Sequence, residues 1–364
     1  MAPRTFGNLS CFWPIWIPAS AFVALLIALV NPPHVVLHAA CAALLMGAVV
    51  SAVHHAEVVA HRLGEPLGTL VLALAVTAIE VALILSMMYA GGVEKATLAR
   101  DTIFATVMII SSGIMGICIL VGGLRHREQF FRIEGTGPAL AALTALATLI
   151  LIMPSFTKSA PGSSYSSMQM AFVGFSSLCL WCVFVFFQTV RHRDYFLPLS
   201  EASNETAHAL PPTNWRALTS FGLLLLSLVS VVGLAKVLSP AVERAVETAG
   251  ASKSVVGIVI AAVVLLPEAT AAIRAALANR LQTSMNLAYG SALASIGLTI
   301  PAVVLAAYVL EFPLVLGLEA KDMVLLILSL FVAAIGLGNG RTNMMQGAVQ
   351  IVLFAAFLFL AIEP

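Results

Sequence analysis

Apolar stretches of about twenty residues, separated by short polar turns, recur along this chain from near Trp13 to near Ile362. A stretch of that length crosses a hydrocarbon layer of roughly 30 Å as an α-helix. Lipid satisfies no backbone N–H or C=O, so only helices and closed barrels can span it. Barrel strands are about ten residues long and alternate in character, whereas a block such as Ala73–Leu85, ALAVTAIEVALIL, does not alternate. With 60% hydrophobic and 10% charged residues, the chain reads as an all-α polytopic membrane protein rather than a water-soluble domain.

Hydropathy predicts eleven spans, near 13–31, 35–55, 67–90, 102–123, 138–154, 168–190, 217–238, 254–278, 284–310, 321–338 and 342–362. Trp13, Trp16 and Trp215 fall at segment starts, where interfacial aromatics belong. A cytoplasmic N-terminus places 11 of the 18 Lys and Arg in inner loops, which predicts N-inside and C-outside. The first segment follows only Arg4 and lacks a small-residue cleavage site, so a retained helix is expected instead of a signal peptide. The net charge of +1 gives no bulk attraction to nucleic acid. The five cysteines lie in or beside apolar segments. Cys179 and Cys182 have CxxC spacing without a second pair or a βαβ context, so they read as small hydrophobes.

Setting aside the first span (1–31), ten remain, in two groups of five (32–190 and 215–364) around a polar linker, 191–214, expected to be a solvated cytoplasmic loop. Five is odd, so a five-helix unit used twice in tandem enters the membrane from opposite sides. That is the inverted-repeat plan of many secondary transporters.

Each group carries one carboxylate in an apolar run. Glu80 sits on the second predicted helix of the first group, and Glu268 sits beside Pro267 on the second helix of the second. A charge at the centre of a spanning helix costs roughly 2.5–3.5 kcal/mol on insertion scales and so marks a function. Gly68 precedes Glu80 by twelve residues and Gly257 precedes Glu268 by eleven, a rough internal match. Two such acids near the midplane suit Ca²⁺, Na⁺ or K⁺, with the shell completed by other oxygens. Pro267 is expected to break its helix and free the carbonyl of Val263. Thr77, Thr106, Ser111, Ser112, Asn286, Ser291 and Ser295 offer further side-chain oxygens. The alternative is structural pairing, with Arg274 or Lys236 neutralising an acid. Burial and like-charge proximity both favour the neutral carboxyl, so an empty site holds protons and a bound cation expels them. That competition is a mechanism for antiport.

Glu57, His61 and Glu65 are spaced by four and share a face if their helix continues that far, as a cytoplasmic entry for protons or cations beside His54 and His55. Glu243 and Glu247 occupy a comparable place in the second group, as a solvated face. The HExxH spacing of zinc proteases is absent.

Several stretches together, AEVVAHRLGEPLGTLVLALAVTAIEVALI (Ala56 to Ile84), GGLRHREQFF (Gly122 to Phe131), AVERAVETAGASKSVVG (Ala241 to Gly257), LLPEATAAI and NLAYGSALASIGLTIP (Asn286 to Pro301), resemble the calcium/cation antiporter superfamily in its cation/proton exchanger branch. The resemblance implies an eleven-helix fold with two facing α-repeats, a cation site at Glu80 and Glu268, and alternating access by sliding of an outer helix bundle. It also implies a bacterial inner membrane, no cofactor, and cations and protons as substrates. Where relatives carry Gly-Asn three residues ahead of the repeat acid, this chain has Val76-Thr77 and Val264-Leu265. A Gln of relatives is Ala294, and the acidic run between the halves shrinks to Asp194, Glu201 and Glu205. Fewer fixed oxygens favour Na⁺ or K⁺ beside Ca²⁺. Two other classes compete: an intramembrane metal-dependent hydrolase using His54, His55, His61 and Glu80, and a passive cation channel.

Overall fold

The computed structural model describes residues 13–30, 34–63, 67–196, 212–248, 250, 252 and 254–363. They form α1 (Trp13–Val30), α2 (Val35–Leu63), α3 (Leu67–Gly91), α4 (Leu98–His126), α5 (Ile133–Phe156), α6 (Ser167–Arg191), α7 (Asn214–Thr248), α8 (Ser254–Leu277), α9 (Leu281–Leu310), α10 (Ala320–Leu337) and α11 (Met344–Ile362). Ten of these are long and apolar enough to cross a membrane, and α3 adds an apolar stretch over Ala73–Tyr89. The expected all-α architecture, one N-terminal helix and two inverted groups of five, is the observed one. Helix boundaries differ from the hydropathy limits where polar residues prolong a helix. α2 runs to Leu63 instead of 55, and α7 to Thr248 instead of 238. Hydropathy marks the thickness of hydrocarbon, whereas Glu, His, Arg and Ala still support helix beyond it.

Local chemistry sets several of the ends. Ser166 starts α6 with a capping box, its hydroxyl accepting from the Gln169 amide while the Gln169 side chain accepts from the Ser166 amide. Asn343 and Gln346 do the same for α11. Turns of π-helix interrupt α4 at Ile109–Ile114 and α5 at Thr148–Ile152.

The chain packs as two compact units that do not follow the halves of the sequence. One comprises the described residues within 1–87 and 210–244, with α1, α2, most of α3 and most of α7; the other comprises those within 88–209 and 245–364. In the first, α1 packs along α2. In the second, α4 is the central helix, 89% buried over its most apolar window. Its glycines let it meet α11 backbone to backbone. A Cβ at Gly116 would lie 3.0 Å from Gln350 Cβ, and one at Gly347 would strike the Leu120 backbone.

Hydrogen bonds between turns of this second unit sort them to two opposite faces. On one face β1 (Glu128–Phe130) pairs antiparallel with β2 (Arg341–Asn343), Gln129 opposite Thr342. There Gln129 Nε2 also donates to the Ala276 carbonyl at 2.8 Å, and His126 Nε2 lies 3.0 Å from the Leu277 carbonyl. On the other face the Val315 amide donates to Ala96 O, Gly317 to Ser163 O and Ser252 to Ala361 O. Arg100 reaches Gly317 O at 3.0 Å. Successive turns therefore alternate between faces, as successive membrane crossings require.

The linker departs from the expected solvated loop over its first residues. Arg193–Phe196 form a 3-10 turn, and Phe196 is buried in an aromatic cluster with Phe184 and Phe187. His192 and Tyr195 stack beside Phe187. Apolar ring burial outweighs the polarity of the neighbouring Arg and Asp. Residues 197–211, with Glu201 and Glu205, lie outside the described residues.

Candidate ion-binding residues

Glu80 is on α3, 3% exposed, thirteen residues after the helix start at Leu67. Glu268 is on α8, partly exposed, fourteen residues after the start at Ser254. At 1.5 Å per residue both carboxylates sit about 20 Å along their helices. Each belongs to a different compact unit, Glu80 to the first and Glu268 to the second. Thr77, one turn before Glu80 on the same helix, is 5% exposed.

α8 continues as α-helix through Pro267, from Ser254 to Leu277. The expected break therefore reduces to one missing backbone donor, that for the Val263 carbonyl, because a proline without gross bending loses only its own N–H. Thr270 Oγ1 donates to the Pro267 carbonyl at 2.8 Å. Arg274 and Lys236, the cations considered for structural pairing, are both exposed.

The other expected oxygens divide into two sets. Thr106 on α4 and Ser295 on α9 are buried, and Ser291 is partly exposed. Ser111, Ser112 and Asn286 are committed elsewhere. Ser111 and Ser112 fall in the π turn of α4, and both hydroxyls meet Ser329 Oγ of α10, at 3.0 and 2.5 Å. Ser112 also donates to Gln350 Oε1 of α11 at 3.1 Å, and Ser111 to its own helix at Val107 O. Asn286 Nδ2 donates to the Phe196 carbonyl at 2.6 Å, while its oxygen accepts from Gln282 at 2.9 Å. Those hydroxyls and that amide fasten helices and the linker turn.

α2 continues as helix through Glu57 and His61, and both side chains are exposed. Glu65 lies outside the described residues, and nothing is described of the Glu243 and Glu247 side chains. His55 is instead buried in α2, its Nε2 donating to the Pro14 carbonyl of α1 at 2.9 Å. His54 stacks near Trp13 with ring centroids 5.4 Å apart. Among the described residues no group of three or more His, Cys, Asp or Glu could hold a metal ion.

One buried acid escapes a hydropathy reading. Asp101 is 6% exposed in the first turn of α4, where it accepts from Arg100 Nε at 2.8 Å and Thr97 Oγ1 at 3.1 Å. α8 closes against it through Gly257, where a Cβ would lie 2.8 Å from the Asp101 carbonyl carbon. Its adjacent Arg100 at a helix start is the sequence signal. A carboxylate there is favoured by the helix dipole as well as by its ion pair.

The sodium/calcium exchanger protein family matches residues 33–190 and 219–363. The y4hA protein of Sinorhizobium fredii, named as an ionic transporter, is 46% identical over 353 residues, covering 97% of this chain and 96% of its own. The sodium-potassium/proton antiporter ChaA of Escherichia coli is 35% identical over 310 residues, covering 85% and 84%. The same fold is seen in the structure of native YfkE, with a TM-score of 0.73 at 17% identity, covering 96% of this chain and 100% of YfkE. The H⁺/Ca²⁺ exchanger CAX gives 0.72 at 17% identity, covering 97% and 89%. With its multi-span helical architecture and these full-length matches, the chain belongs to the sodium/calcium exchanger family, in the cation/proton exchanger branch, as a cation antiporter and not an enzyme.

Proposed function

We propose that this protein exchanges Na⁺ or K⁺, and Ca²⁺, for protons by alternating access, with Glu80 and Glu268 as the carboxylates that carry cation and proton. The observation that carries the reading is Glu80 itself, a 3% exposed acid within an apolar helix. A carboxylate in that setting is neutral when protonated, and its negative charge is costly unless compensated, a compensation that a transported cation supplies. The second support is register: one acid thirteen residues into the second helix of its group, and one fourteen residues into the second helix of the other. The two stretches that match the family, 33–190 and 219–363, agree with the proposed repeats 32–190 and 215–364. ChaA of Escherichia coli, named for sodium, potassium and proton, supports monovalent substrates beside Ca²⁺. A bacterial inner membrane with a cytoplasmic N-terminus and an outside C-terminus completes the proposal.

Everted vesicles with an imposed proton gradient test it. Wild type is expected to take up at least one of Na⁺, K⁺ and Ca²⁺ against its own gradient, and Glu80→Gln and Glu268→Gln each to abolish uptake. Wild-type exchange rates in either variant refute the two-carboxylate reading. Uptake that never runs uphill identifies a channel. Protons and cation compete for the same oxygens, so lowering pH on the cation side raises the half-saturating concentration. The rise is about tenfold per pH unit for one proton and about a hundredfold for two, below the carboxyl titration range.

A further inference from the structure

A groove of about 960 Å³ lies between α6 and α9 at the face where α6 begins and α9 ends. Its walls are apolar: Gly174, Phe175, Pro301 and Val304 line it, and Phe175 and Tyr308 are 69% and 78% exposed at its edges. In a chain that spans a membrane, exposed rings on spanning helices face lipid, so the groove opens sideways into the bilayer.

Its rim carries charge of both signs, on opposite sides. Ser167 on one wall is the first residue of α6, where the capping box satisfies the amides of Ser166 and Gln169 and leaves those of Ser167 and Met168. The remaining amides present the positive end of a 20-residue α-helical stretch. Glu311 on the other wall is the C-cap of α9, in the left-handed conformation at φ 55°, beside the last carbonyls of a 30-residue helix. Among the described residues no cation pairs with Glu311. No basic residue lines the groove.

We propose that this groove binds a zwitterionic phospholipid, phosphatidylethanolamine. An acyl chain fills the apolar slot, the phosphate lies at the α6 amides, and the ammonium donates to Glu311 and the α9 carbonyls. An anionic lipid without a cation leaves Glu311 unmatched and repelled. A quaternary ammonium carries the charge but has no N–H to donate, so phosphatidylcholine ranks between.

Native mass spectrometry of the purified full chain, exchanged into mixed micelles of phosphatidylethanolamine, phosphatidylcholine or phosphatidylglycerol, reads both lipid retention and subunit number. Wild type is expected to retain phosphatidylethanolamine about fivefold over phosphatidylglycerol, the scale of one charge contact at the exposed Glu311 together with a helix end. Glu311→Gln is expected to bring that preference within about twofold while total retained lipid stays constant. Leu178→Trp, which adds bulk at a groove position 38% exposed, is expected to lower retention of every headgroup. Equal retention of the three lipids by wild type overturns the proposal. So does an unchanged preference in Glu311→Gln, or an oligomer that Leu178→Trp dissociates without altering lipid retention, which identifies a second copy of the chain as the occupant.

Discussion

The carbonyl of Pro14 shows how one residue type dictates a tertiary contact. In an α-helix that oxygen would accept from the amide of residue 18, but residue 18 is proline, inside α1. The freed oxygen accepts instead from Ser51 Oγ at 3.0 Å and His55 Nε2 at 2.9 Å, both on α2. Donation from Nε2 assigns the neutral ring its Nδ1 lone pair, and Nδ1 is buried with no partner among the described residues. His55, read from sequence as part of an ion entry, is thereby a helix-joining side chain. A double-mutant cycle checks this. In wild type Ser51→Ala with His55→Leu is expected to lower stability by about 1–2 kcal/mol, since two bonds are lost and a carbonyl is orphaned. In a Pro18→Ala background the loss is expected to fall to less than half, because the new amide reclaims the Pro14 oxygen. Thermal unfolding in detergent measures both; equal losses in the two backgrounds would remove the proline from the explanation.

At the scale of elements, α4 organises its unit because it is nearly enclosed and because its polar groups and its glycines face partners. The π turn at Ile109–Ile114 inserts an extra residue, and the adjacent Ser111 and Ser112 both reach Ser329. Ser329 is fully buried on α10 and Gln350 is 4% exposed on α11, so three helices share one polar cluster in apolar surroundings. Ser329→Ala is expected to cost roughly 1 kcal/mol, each interhelical hydrogen bond in a membrane averaging about 0.6 kcal/mol. Ser329→Val should cost more, since it removes the same interhelical bonds and adds bulk. Gly347→Leu is expected to be the most damaging of the three, because its side chain meets the Leu120 backbone, which cannot move aside as a side chain can. Loss of the folded fraction in size-exclusion chromatography in that order would support the packing account, and a benign Gly347→Leu would contradict it.

At the largest scale, the hydrogen bonds between turns of the second unit and the count of crossings assign those turns to two faces. Cysteine labelling in a background with the five native cysteines replaced checks the assignment. Glu128→Cys and Arg341→Cys, half of an exposed ion pair at 3.7 Å each, are expected to react from the same side. Lys158→Cys is exposed in the turn between α5 and α6 and is expected to react only from the opposite side. With a cytoplasmic N-terminus the first two are cytoplasmic. Labelling of all three from one side would break the eleven-span topology.

Much of this was already written in the residues. Apolar length, the odd count of helices in each group and the lone carboxylates in ALAVTAIEVALIL and VVLLPEATAA depend only on local composition and on the cost of charge in hydrocarbon, so membrane class, repeat plan and the two candidate acids are legible without coordinates. What the tertiary structure alone decided is where each polar oxygen spends its hydrogen bonds. Ser111, Ser112 and Asn286 are chemically able to hold a cation, yet they are committed to Ser329, Gln350, Gln282 and the Phe196 carbonyl. Asp101 turns out buried, and Pro267 leaves its helix unbroken. A hydroxyl, amide or carboxylate is satisfied by whichever partner packing brings within about 3 Å, and that partner lies up to some two hundred residues away in the chain.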